Sequence, residues 1–297
     1  MKNKTVVGAA ACVWLVLVLV SVVYAVDVQI TRDSDFDFES QYWKLGGWNY
    51  AGVNSSYTCG WQLGTAYLNV SNPDGIGWVG SKIQQGSLPH NWTQAPNLEN
   101  EFTFTSDYKV FLEIKFKLGN WSFLHYPTQA PDNFSWFNFG VGFWFHKPNT
   151  DWNGNDSQLV VGAKLVWLRY NGQTVAKQTD DVYFQGDVGK DLHSLFDVYN
   201  ENTTCHDWVT VKVDMTPYIQ KALSHWKVSN PTLKCVEAYL ETIGGKGEVW
   251  VDHVNVYAVL TSSNPQPPSL QDGLIYAFTP LILFFAGIML FKGMMGR

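Results

Sequence analysis

Between residues 41 and 260 the chain reads as short runs in which apolar and polar residues alternate, broken by Gly, Pro, Asn and Asp. Eight runs stand out, at 41–50, 61–70, 109–118, 136–146, 159–170, 208–215, 233–242 and 247–259. They are rich in Val, Ile, Tyr, Phe and Trp and bounded by turn formers, the signature of β-strands. The period is cleanest in KVFLEIKFKL, where Val110, Leu112, Ile114, Phe116 and Leu118 share one face. Phe111, Glu113, Lys115 and Lys117 share the other. Successive side chains of a strand point to opposite faces, so one face meets the core and the other meets solvent or a cleft. One soluble helix is predicted at 216–226, with Thr216 as N-cap and Pro217 in the first helical position. The stretch 186–199 is expected to add a helical turn. Together these elements predict an all-β fold: an antiparallel β-sandwich of jelly-roll type with one short helix.

The two ends break this pattern. Residues 6–20 form an apolar run behind Lys2 and Lys4, followed by SVVYA. A charged start, a short apolar stretch and small residues at its end read as a secretory signal cut after Ala25. Residues 273–291 carry no charge over 19 residues, about the length needed to cross ~30 Å of hydrocarbon. Lys292 and Arg297 follow, as the positive-inside rule expects of a cytoplasmic tail. The predicted organisation is a signal peptide at 1–25, an extracellular body at 26–260, a Pro-rich stalk at 261–272, a transmembrane helix at 273–291 and a tail at 292–297. An uncleaved N-terminal anchor would leave the body on the same side of the membrane. Asn-x-Ser/Thr triplets begin at Asn54, Asn69, Asn91, Asn120, Asn133, Asn155 and Asn202, as glycan acceptors of an exported chain would.

Charged residues and aromatic residues each make up 15% of the chain, and the formal net charge is −6. A nucleic-acid partner would require a basic excess to neutralise phosphates, and this chain has none. Its 14 Trp and 14 Tyr supply core rings, with a surplus able to line a sugar cleft. Beyond the signal segment lie Cys59, Cys205 and Cys235, enough for one disulfide and one further thiol. The pairing stays open, Cys205–Cys235 being one choice. No CxxC or His/Cys ligand spacing occurs, so neither a metal nor a cofactor is expected.

From 211 to 259 the order is strand, short helix, strand carrying Glu237 and Glu241, glycine turn, closing strand. This resembles the C-terminal third of glycoside hydrolase family 12, the jelly-roll endo-β-glucanases. WKLGGWNYAGVNSSYTCGW at 43–61, LVVGAKLVWLRYNGQ at 159–173 and Phe184-Gln185-Gly186-Asp187-Val188 resemble further stretches of that family. The resemblance implies a β-glucan-type polysaccharide partner. It places Glu241, at the end of Val236-Glu237-Ala238-Tyr239-Leu240-Glu241, at the acid/base position, with Glu237 beside the substrate. Trp48 and Trp144 become the rings that stack on sugar, while core packing is the plainer use of Trp48, Trp61, Trp144 and Trp167.

The family's nucleophile falls on Gly140, in the run Phe139–Phe145, and glycine has no group that attacks an anomeric carbon. Retaining glycosidases need two carboxylates about 5–5.5 Å apart. Glu113 is the substitute catalytic candidate; its plainer reading is a solvent-facing strand residue in an ion pair beside Lys115 and Lys117. Glu237 and Glu241 share a strand face, whose plainer reading is a wetted surface. Asp252 and His253 alternate faces, and Asp252 reads as structural. Asn138, Gly140, Gly142 and Trp144 share one face, where the glycines leave a shallow gap for a sugar ring or a bulky side chain from the other sheet. Three classes stay open: a tethered endo-β-glucanase, a non-hydrolytic polysaccharide binder, and a structural or adhesive surface protein. N-terminal sequencing of the mature chain should begin at Val26; a chain still beginning at Met1 would mean an uncleaved anchor.

Overall fold

The computed structural model describes residues 27–37, 41–92, 94–124, 135–154, 158–171, 175–177, 182–186, 189–195 and 206–261. The expected signal peptide and membrane span lie outside the described residues. Among the described residues no helix is long and apolar enough to cross a membrane. Asp27–Leu260 forms one compact unit.

Its first strands are β1 (Val28–Gln29), β2 (Lys44–Asn49), β3 (Ser56–Gln62), β4 (Thr65–Ser71), β5 (Val79–Gly86) and β6 (Phe102–Thr103). The long strands β7 (Tyr108–Phe123), β8 (Ser135–His146) and β9 (Gln158–Tyr170) follow. Next come β10 (Val175–Lys177), β11 (Val182–Gly186), β12 (Gly189–Leu195) and β13 (Trp208–Asp214). Helix α1 (Thr216–Trp226), β14 (Thr232–Ile243) and β15 (Gly245–Leu260) complete the order. One sheet runs β13-β7-β15-β4-β3, with β1 added on β15. The larger sheet runs β11-β12-β9-β8-β14-β5-β2, with β10 on β9 and β6 on β14. The pairing of β12 with β9 is parallel; β7 with β15 and β14 with β8 are antiparallel.

The alternation of β7 and β8 builds the core. Leu112, Ile114, Phe116 and Leu118 of the six-stranded sheet are fully buried, as are Phe139, Val141 and Phe143 of the nine-stranded one. Phe116 and Phe139 meet with ring centroids 4.8 Å apart. Helix α1 contributes Ile219, Ala222, Leu223 and Trp226 to the same core.

Several expectations change. The run 61–70 is the hairpin of β3 and β4, turned at Leu63 and Gly64, whose φ values of 52° and 76° are what a two-residue primed turn requires. Within the stretch 186–199, where a helical turn was expected, the described residues Gly189–Leu195 form strand β12. The helix sits where predicted, but Thr216 is not its cap. The Asp214 carboxylate accepts the Thr216 N–H at 3.0 Å, while the Thr216 hydroxyl accepts the Val110 N–H at 2.9 Å. A β-bulge between Val251 and His253 leaves both Asp252 and His253 partly exposed. Asp252 pairs with Lys115 at 2.6 Å and His253 Nδ1 contacts Asp35. Cys59 and Cys235 are free thiols, so neither is half of a disulfide.

Strand β5 was not visible in the apolar pattern, because two of its core-facing positions are polar. The Ser81 hydroxyl donates to the Thr58 carbonyl, and Gln85 bonds Arg32 and Tyr42 backbone. These bonds satisfy the buried groups, as burial requires. Truncating Phe139 to Ala should cost about 3–5 kcal/mol of unfolding free energy, the usual range for a large core ring. Chemical denaturation of the variant beside wild type measures it.

Candidate functional site

Strand β14 lies between β5 and β8 in the nine-stranded sheet. Its Val236, Ala238 and Leu240 are core residues, so Glu237, Tyr239 and Glu241 point to the opposite face. Registers carry that face across the sheet in rows. One row is Trp48, Gly80, Glu241, Asn138 and Trp167. The next is Gly46, Lys82, Tyr239, Gly140 and Lys164. The third is Lys44, Gln84, Glu237, Gly142 and Gly162. Of the five predicted site residues, Trp48, Trp144, Glu237 and Glu241 therefore share one face.

Glu113 does not join them. It stands on β7 in the other sheet, facing away from the core, with Lys212 Nζ 3.7 Å from its Oε2. The hydrophobic core separates it from Glu241, so the two cannot act on one glycosidic bond. What it meets there is the lysine across the strand pair.

Glu237 is only 6% exposed, and its charge is met on both oxygens. Lys82 Nζ lies 3.0 Å from Oε2, and Trp144 Nε1 donates to Oε1 at 2.8 Å. A buried carboxylate persists only with such partners. Trp48 lies flat across β5 because Gly80 has no side chain; a Cβ there would come within 2.2 Å of the indole. Lys82 Nζ is 5.7 Å from the Trp48 ring centroid, within cation–π range. Lys82 thus ties the carboxylate to the ring.

Glu241 is partly exposed and accepts the Asn138 Nδ2–H at 2.6 Å. Asn138 Oδ1 and its row neighbour Trp167 Nε1 are buried without a hydrogen-bond partner among the described residues. The glycine gap on β8 is filled from β14 and not from the other sheet. A Cβ on Gly140 would sit 3.2 Å from Tyr239 Oη, and one on Gly142 would sit 3.4 Å from Glu237 Oε1. Trp92 meets Trp144 edge-on, with centroids 6.4 Å apart. Burial, reinforced by the Glu237 carboxylate, pushes the Cys235 thiol well above its ordinary range, so it is a packed thiol and not a nucleophile.

This arrangement constrains the chemistry. Glycosidic cleavage by the two-carboxylate route needs oxygens about 5–5.5 Å apart for retention or about 6.5–9.5 Å apart for inversion. Opposite Glu241 stand Asn138 on one side and Gly80 on the other. Glu237 is four residues along the same strand, about 13 Å away at the rise of a β-strand. Among the described residues no cluster of three His, Cys, Asp or Glu side chains is placed to hold a metal ion.

The sequence reading did not find Lys82. Its strand carries too few apolar residues, and the only signal was a lysine in a run of mixed polarity. Asn138 and Trp167 were visible as residues of their strands, but not as neighbours of Glu241.

No family model and no curated protein matches this sequence. Among solved structures the chain is similar to the family 11 xylanase from Neocallimastix patriciarum, at 13% identity, covering 78% of this chain and 100% of that one, with a TM-score of 0.39. It is similar also to endoglucanase cel12A from Rhodothermus marinus, at 15% identity, 70% and 88% coverage and a TM-score of 0.39. A family 12 xyloglucanase from Bacillus licheniformis matches at 13% identity, 65% and 92% coverage and a TM-score of 0.36. At these values the likeness decides neither the fold nor the function of this chain.

Replacing Lys82 with Met should destabilise the protein by about 3–5 kcal/mol, because Glu237 is left buried and unpaired. Adding Glu237→Leu should recover most of that loss. Urea titrations of the single and double variants measure both effects.

Proposed function

We propose that the chain is a membrane-tethered surface protein whose body binds a β-glucan-type polysaccharide on the Glu241 face without cleaving it. The observation that carries this reading is the pairing of Glu241 with Asn138. An amide stands directly across from the acid/base candidate, and it neither holds a covalent glycosyl intermediate nor activates water as a carboxylate does. The nearest carboxylate on the strand, Glu237, is committed to Lys82 and Trp144.

Binding chemistry is better supplied. Trp48 lies flat across the sheet, where an indole can stack on a pyranose face. Beside it the partly exposed Glu241 carboxylate accepts hydrogen bonds, which suits sugar hydroxyls as donors. The resemblance of 211–259 to family 12 endo-β-glucanases supports the polysaccharide class. The apolar run at 273–291 and the triplets at Asn54 and Asn120 support a tethered, exported body.

The test is calorimetric titration of the full-length chain with soluble β-glucans, beside its Trp48→Ala and Glu241→Gln forms. Trp48→Ala should weaken binding by about tenfold, or ~1.4 kcal/mol. Glu241→Gln keeps an acceptor for Asn138 and should bind as wild type does. Release of reducing sugar by wild type that vanishes in Glu241→Gln would establish a hydrolase instead. A folded chain that binds no glucan would return the protein to the structural class.

A further inference from the structure

The solvent face of the six-stranded sheet carries a second constellation, on the far side of the core from Glu241. Strand registers place Trp208 of β13, Lys117 of β7, Trp250 of β15 and Tyr67 of β4 in one row across four neighbouring strands. At a spacing of ~4.8 Å per strand the row is about 14 Å long, the span of a short oligosaccharide. Lys117 Nζ sits 5.2 Å from the Trp208 ring centroid and 4.5 Å from that of Trp250. The Trp250 and Tyr67 centroids are 5.1 Å apart.

Trp250 approaches β7 closely for a reason visible in the backbone. A Cβ on Gly119, two residues along β7 from Lys117, would come within 2.4 Å of the Trp250 ring. Its absence lets the indole lie against the strand. Trp208, at the other end, is 42% exposed.

Charge on this face is uneven. Lys115 pairs with Asp252 at 2.6 Å, and Lys212 pairs with Glu113 at 3.7 Å. The Glu248 carboxylate accepts the Tyr67 hydroxyl at 2.9 Å and the Asn120 N–H at 3.3 Å. Lys117 has no carboxylate within ion-pair distance among the described residues. Two indoles hold its ammonium in place, yet they carry no charge to neutralise it.

We propose that this row is a second saccharide platform, selective for acidic sugars. Trp208, Trp250 and Tyr67 stack on pyranose faces while Lys117 pairs with a uronate carboxylate. A row of rings on an open sheet suits an extended chain lying across the strands, and Lys117, set between two of those rings, gives the preference for an anionic unit. The platform stands or falls independently of the Glu241 face, since the two share no residue.

The experiment titrates the full-length chain with trigalacturonate and, as the neutral counterpart, with cellotriose. Wild type, Lys117→Gln, Trp208→Ala and Trp48→Ala are compared, with thermal melts checking that each is folded. Lys117→Gln should weaken trigalacturonate binding by about fivefold, the upper range for an exposed ion pair, and leave cellotriose binding unchanged. Trp208→Ala should weaken it at least as much, Trp48→Ala should leave it intact, and added salt should weaken it in wild type. Failure of folded wild type to bind trigalacturonate, or binding unaltered in both Lys117→Gln and Trp208→Ala, overturns the proposal.

Discussion

The buried pair of Lys82 and Glu237 organises the face on which function is sought. Neither charge would survive burial alone, because removing an ion from water costs several kcal/mol beyond what packing returns. Their partnership has three consequences. It holds the Glu237 carboxyl against Lys82 of β5, where it is spent on structure. It gives Trp144 an acceptor for its indole N–H, which orients that ring. It also sets an ammonium beside Trp48, so the aromatic residue at the sheet's edge is held by the same cation. Both oxygens of that carboxylate are already engaged, by Lys82 and Trp144, and the other glutamate on the outward face of β14, Glu241, faces an amide.

The pleat of the sheet turns that pair into a site. Alternation along β14 sends Val236, Ala238 and Leu240 into the core and Glu237, Tyr239 and Glu241 to the other side. A shift of one residue in register would exchange the two sets, burying charges against Phe139 and Phe143. Glycines then set the relief of the face. Gly80 admits the Trp48 ring, while Gly140 and Gly142 admit Tyr239 and Glu237. The same device recurs on the other sheet, where Gly119 seats Trp250. Both faces are made from flat aromatic rings over glycine, but they differ in charge. One holds a buried ion pair, and the other sets Lys117 between two indoles.

Much of the fold was legible because the core is apolar and periodic. β7, β8, β14 and β15 announce themselves by alternation, and α1 by its proline and its stripe of Ile219, Ala222, Leu223 and Trp226. β5 stayed hidden, since Ser81 and Gln85 face inward and are satisfied by hydrogen bonds that only the tertiary structure reveals. Gly189–Leu195 read as helical because it lacks a long apolar alternation. The shared face of Glu237 and Glu241 followed from parity alone. That Glu113 lies across the core from them did not, because parity names a face within a strand and not the sheet to which the strand belongs. The bulge at Val251–His253 defeated parity outright, turning Asp252 and His253 to the same side.

The most direct test of a binding face without a catalytic pair uses one sample for both questions. Cellohexaose is followed by proton NMR with the full-length chain over a day. The account predicts broadened or shifted sugar signals on addition of protein, with the reducing-end anomeric signals constant in area. Growth of new reducing-end signals would contradict it, since cleavage would then be proceeding at a face where the residue opposite Glu241 is an asparagine.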